Sequence, residues 1–115
     1  MDFKLFDRAI EAETHVIELH GEVDIDTAPA FETRMTELID EGKPRLVVDL
    51  SSATFIDSTA LGVLARGRNR MCASDDALAV VCTDEKMLEI FDITGFDRLI
   101  PIHETIAAVA EDSAR

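Results

Sequence analysis

RLVVDLSSATFIDSTALGVLARG, residues 45–67, decides the fold. Its opening RLVVDL is almost continuously apolar, the pattern of a central strand covered on both faces, because a strand with one wet face alternates apolar and polar residues. Past Ile56 the period changes. Leu61, Leu64, Ala65, Met71 and Cys72 fall at helical spacing, so a helix spans residues 58–72. A buried strand that hands over directly to a helix is half of a crossover unit, the connection that parallel strands require. Asp57, Ser58 and Thr59 stand at the handover.

The same alternation of periods extends in both directions. Upstream, FKLFDR (3–8) and HVIELHGEV (15–23) alternate well enough for two strands joined by the acidic turn EAET (11–14), an opening hairpin. After Gly21 come Asp24 and Asp26, then Thr27 as N-cap of a helix with Pro29 in its first turn. Phe31, Met35, Leu38 and Ile39 form the apolar stripe of that helix, and Gly42 followed by Pro44 stops it. Downstream, ALAVVC (77–82) reads as a second buried strand. Thr83 or Asp84 caps a third helix, with Leu88 and Phe91 facing inward and Gly95 at its end. LIPI (99–102) supplies a short last strand, and Ile106, Val109 and Ala110 mark a terminal helix. The expected α/β fold is one domain over residues 1–115. It is a mixed, mainly parallel sheet of about five strands, hairpin first and then alternating helix and strand, with the helices packed against it.

Hydrophobic residues make up 47% of the 115-residue chain and aromatic ones 5%, so the core is aliphatic. A formal net charge of −13 repels nucleic-acid phosphate and anionic lipid headgroups, which argues against both as partners. No apolar run approaches the roughly 18 to 20 residues that span a bilayer, and MDFKLFDRAIEAE has no signal-peptide pattern, so a cytoplasmic protein is expected. Cys72 and Cys82 match no zinc-ligand spacing and read as core thiols. His15 and His20 lie five residues apart in one strand and project to opposite faces, and His103 has no partner in sequence. No metal or cofactor is expected. Arg66, Arg68 and Arg70 complement the negative end of their helix, or alternatively contact an acidic partner.

The Asp57-Ser58-Thr59 junction has two readings. A side chain there accepts hydrogen bonds from the first free amides of the helix, a capping role worth about 1 kcal/mol. One cap suffices, yet two hydroxyls follow the aspartate. Alternatively, Ser58 is an exposed phosphoryl acceptor, since the positive end of a helix dipole favours the roughly 1.5 to 2 negative charges that a phosphate brings. Asp24, Asp26 and Asp57 oppose that charge, so modification acts on a docking surface and leaves the core alone.

GEVDIDTAP (21–29), the central stretch 45–71 and LAVVCTDEKMLEIFDITGFDRLIPIHETIAAVA (78–110) together resemble the anti-sigma factor antagonists of bacteria, which are single STAS domains. DSTALG (57–62) is similar to that family's phosphorylation segment, and ITGFDRLIPI (93–102) to its closing signature. The resemblance implies that Ser58 is phosphorylated by a cognate anti-sigma factor that is also a serine kinase, with Asp57 and Thr59 as cap and support. It implies that the unphosphorylated form binds that kinase and frees a sigma factor, that the phosphorylated form lets go, and that a serine phosphatase resets the switch. Asp24, Asp26, Thr27, Ala60, Leu61 and Gly62 then form the partner-binding surface of a protein that is not an enzyme. Ala60 stands where many members have glycine.

Three other readings compete. A STAS scaffold or sensor subunit would keep the fold without phosphorylation. An aspartyl-phosphate receiver wants a lysine after its last strand, whereas Lys4, Lys43 and Lys86 are the only lysines. A hydrolase with Ser58 as nucleophile wants a nearby histidine and the glycines of a nucleophile elbow.

Overall fold

The computed structural model describes residues 2–11, 13–71 and 77–113, with side chains up to residue 109. Ala12 of the EAET turn, Cys72 and the side chain of Ala110 lie outside what is described. Five strands form one sheet in sequence order. β1 (Lys4–Ala9) and β2 (Thr14–Val23) make the expected antiparallel hairpin, in register from Lys4↔His20 to Ala9↔His15. β2, β3 (Arg45–Ile56), β4 (Leu78–Val81) and β5 (Ile102–His103) are parallel. Every parallel step moves the same way across the sheet, so right-handed crossovers put α1 (Ala28–Asp40), α2 (Ser58–Arg70) and α3 (Glu85–Thr94) on one face.

That layering explains RLVVDL. Leu46, Val48 and Leu50 enter the main core under the crossover helices, while Val47 joins Val16, Ala79 and Val81 beneath Val109 of α5 (Ile106–Ser113) on the opposite face. Asp49 is the polar interruption. β3 carries an extra residue opposite the Glu18–His20 stretch of β2, and the amide of Ser51 at this bulge donates to Asp49 Oδ1 at 2.9 Å.

β3 carries on from RLVVDL to Ile56, up to the handover. Three local expectations need correction. LIPI is not a strand: Leu99 ends the short helix α4 (Phe96–Leu99), and only Ile102 reaches β5. The buried face of α2 is Ala60, Val63, Leu64 and Gly67, with Leu61 and Ala65 at its margin. Gly67 moves the face because a Cβ there would collide with the Met35 sulfur, so the glycine lets α2 close onto α1. On α3, Met87 and Phe91 are fully buried and Leu88 only partly, and Asp84 is the cap, accepting from the Met87 amide at 3.0 Å. Gly95 ends this helix at φ 79°, in the left-handed region that glycine tolerates. Cys82 is a buried free thiol whose pKa is pushed up by burial.

α1 is tied to the hairpin by a polar cluster. Arg34 Nε and Nη2 donate to Asp7 Oδ2 and Oδ1 at 2.8 and 2.9 Å, and His15 Nε2 lies 2.7 Å from Oδ1. Bonding to Arg34, helped by His15, outweighs burial and holds the Asp7 carboxyl down at about 2, from 3.8. A depressed carboxylate stabilises the fold above its unfolded pKa and stops doing so as pH falls through the folded one. The Asp7 side chain is 20% exposed, dry enough for the effect to count. Asp7→Asn is therefore expected to cost on the order of 2 kcal/mol at neutral pH in urea titrations. The gap to wild type should close between pH 3.8 and about 2; a gap that persists unchanged to pH 2 contradicts this.

Candidate functional site

Val23 and Ile56 are register partners near the ends of β2 and β3, and the Asp57 amide donates to the Val23 carbonyl at 3.3 Å. The 24–27 loop and the 57–59 junction therefore leave the sheet side by side at its carboxyl edge, where parallel sheets present their functional groups. Asp57 is extended, at φ −124° and ψ −174°, and its Oδ1 accepts from the amides of Thr59 and Ala60 at 2.9 and 3.1 Å. It is the N-cap of α2. Ser58 is thereby relieved of capping: it is the first helical residue, exposed, and its hydroxyl makes no hydrogen bond to a described residue. Thr59 is half-buried, Ala60 buried, and Leu61 and Gly62 half-buried.

In the neighbouring loop Asp24 Oδ1 accepts from the amides of Asp26 and Thr27 at 3.0 and 3.2 Å, which holds a tight turn. Thr27 occupies the N-cap position without capping α1. Its hydroxyl donates to the Glu22 carbonyl at 2.7 Å and accepts from the Asp24 amide at 2.9 Å, so it closes the loop instead. Pro29, lacking an amide hydrogen, removes one of the donors a cap would serve. Asp26 and Ile25 are exposed, Ile25 at 70%.

The site thus offers two hydroxyls without a hydrogen bond to a described residue at a helix N-terminus, that of Ser58 exposed and that of Thr59 half-buried, beside the Asp57 carboxylate. No base is poised on either: His15 is bound to Asp7, His20 to Glu18 at 2.8 Å, and His103 lies on β5. Asp57 commits its Oδ1 to the cap. Among the described residues no group of three or more His, Cys, Asp or Glu is placed to hold a metal, and no helix is long and apolar enough to cross a membrane. The arginines at the far end of α2 are engaged within the chain. Arg66 reaches Glu32 at 2.6 Å and Arg70 reaches Asp40 at 2.7 Å, both on α1, while Arg68 Nε donates to the Leu99 carbonyl at 2.9 Å.

Two features of this edge were not foreseen. Phe55 is 48% exposed although it lies in the central strand, and Ile25 stands out from the acidic loop. Beside Phe55 an open hollow of about 740 Å³ runs between Thr54–Ile56 and the start of α3. The only hint in sequence is the TF pair that follows RLVVDLSSA, too short a run to reveal a strand continuing past its neighbour.

The sequence model of the STAS domain matches residues 7–109. An anti-sigma-B factor antagonist of Staphylococcus epidermidis is 29% identical over 99 residues, which cover 83% of this chain and 92% of that one. Among solved structures, an anti-sigma factor antagonist from Mycobacterium paratuberculosis is similar with a TM-score of 0.90 at 24% identity, over 99% of this chain and 96% of that one. The phosphorylated form of the Bacillus cell fate determinant SpoIIAA gives 0.72 at 21% identity, over 99% and 100%. With the mixed five-stranded sheet and its flanking helices already in place, a match over this much of the chain assigns it: the protein belongs to the STAS domain family.

Proposed function

We propose that this protein is an anti-sigma factor antagonist that switches partners through Ser58. The unphosphorylated form binds an anti-sigma factor that is also a serine kinase, and the sigma factor held by that kinase is released. Phosphorylation of Ser58 ends the association, and a serine phosphatase restores it. The protein is the substrate of both enzymes and catalyses nothing itself. It acts as a single domain in the cytoplasm, without metal, cofactor, nucleic acid or membrane. Docking involves Asp24, Asp26 and Thr27 on the loop, and Leu61 and Gly62 on the first turns of α2; Ala60, expected from the sequence to join them, is only 2% exposed and packs into the core instead.

One observation carries this reading: Asp57 takes the cap, which leaves Ser58 exposed at the start of α2 with no hydrogen bond from its hydroxyl to a described residue. A phosphate there lies at the positive end of the helix dipole, so the scaffold tolerates it. Its charge falls beside Asp24, Asp26 and Asp57 on the outer surface, so a docked partner feels it. The relatives named anti-sigma-B factor antagonists support the biological role.

The test is reconstitution. Added to a purified complex of the host's anti-sigma factor kinase and sigma factor, the protein is expected to shift the kinase into a new complex on size-exclusion chromatography and leave free sigma factor behind. Failure to bind any anti-sigma factor of the host contradicts the proposal.

A further inference from the structure

β4 pairs with β3 only from Leu46↔Leu78 to Asp49↔Val81. β3 nevertheless continues to Ile56, held on its other side by β2 through Val23↔Ile56. Among the described residues, the edge of β3 that faces away from β2 therefore has no strand paired to it beyond Asp49. The chain leaves the sheet after Val81, and Asp84 caps α3, so the first turns of that helix stand across a gap from the bare edge. The gap is the open hollow of about 740 Å³, with Thr54, Phe55 and Ile56 on one wall and Asp84, Met87 and Ile90 among the residues of the other. An uncovered strand edge presents unpaired amides and carbonyls, a template for another strand.

We propose that this groove docks an extended, basic segment of a partner protein, which adds to β3 as a further parallel or antiparallel strand. The stretch of the overhang that borders the hollow, Thr54–Ile56, takes a short strand of about three residues at roughly 3.3 Å each. Main-chain bonds to β3 supply the binding, and side chains on one face of the added strand rest on Phe55, Met87 and Ile90. Charge selects the occupant. Asp84 and Glu85 line the hollow against the single cation Lys86, and Asp57 follows the end of the strand, within a chain of net charge −13. A second copy of this chain is repelled, whereas a segment alternating lysine or arginine with aliphatic residues is attracted. The inference does not depend on Ser58 phosphorylation, so either can fail alone.

The probe is the peptide acetyl-Lys-Val-Lys-Val-Lys-Val-amide, titrated into the 15N-labelled full chain. Saturable shifts are expected at the amides of Thr54–Ile56 and Thr83–Met87. The same peptide N-methylated at alternate residues keeps its charge and side chains but loses the main-chain donors along one edge, and should bind about tenfold more weakly or worse. Phe55→Ala, whose fold is checked by circular dichroism, should weaken the parent peptide. Equal binding by the N-methylated peptide overturns the proposal and leaves bulk attraction to an acidic protein. Shifts elsewhere, such as on the outer face of β1, or no saturable shift, overturn it equally.

Discussion

Ser58→Glu is expected to bind the anti-sigma factor kinase about 30-fold more weakly than wild type, a loss of about 2 kcal/mol. Ser58→Ala should bind as wild type does and accept no phosphate. The size follows from placement. The added carboxylate emerges from an exposed position next to the Asp57 cap and beside the loop carrying Asp24 and Asp26, within the proposed docking surface. A unit charge brought to about 4 Å of another is worth about 1 kcal/mol in water and about 4 kcal/mol at the effective dielectric of a protein surface. A docked interface lies between those limits. Raising the salt concentration should narrow the gap between the two variants, because screening weakens exposed charges. Thermal melting should be nearly unchanged, since glutamate in the first turn of a helix suits its dipole. Calorimetric titration against the kinase measures all of this, and equal affinities for the two variants would remove the electrostatic switch.

Phe31→Ala should cost about 3 to 5 kcal/mol, the range for truncating a buried phenylalanine where the surroundings cannot close in. Phe31 is 1% exposed and sits on α1 in the main core, with Met35 and Leu38 on the same buried face. The Met35 sulfur, one turn along the same helix, already fills the space that a Cβ on Gly67 would need, so α1 and α2 are in close contact there. Domains of this size are stable by only about 5 to 15 kcal/mol in total, so the variant should melt well below wild type. Urea denaturation followed by circular dichroism checks the value; a loss below about 1 kcal/mol would mean that the α1 layer packs loosely.

Much of this architecture was legible because the chain states it twice, in period and in punctuation. RLVVDL is apolar at consecutive positions because Leu46 and Val48 face the crossover helices while Val47 faces α5. Gly42 and Gly95, both at positive φ, stop helices where expected. The candidate site was legible for a related reason: an acidic residue before two hydroxyls at a strand–helix boundary leaves a hydroxyl free once the acid caps, and parallel pairing of β2 with β3 brings the 24–27 loop alongside. The errors have physical causes too. Bulges opposite β2 break the alternation of SSATFI, so the pattern of the outer half of β3 does not show which of its side chains face the core. Gly67 carries no apolar side chain and could not be counted into the face it occupies. The Arg34–Asp7 and Arg66–Glu32 pairs join residues far apart in sequence, where local pattern has nothing to say. The groove beside β3 arises from two strands of unequal length, a property of the sheet and of neither strand alone.

The most direct measurement incubates wild type, Ser58→Ala and Thr59→Ala with the host's anti-sigma factor kinase and ATP, then maps phosphate by mass spectrometry. One phosphate on Ser58 is predicted for wild type and Thr59→Ala, and none for Ser58→Ala. Phosphate retained by Ser58→Ala, or a wild-type chain left unmodified by a kinase it binds, would contradict the role given to that hydroxyl.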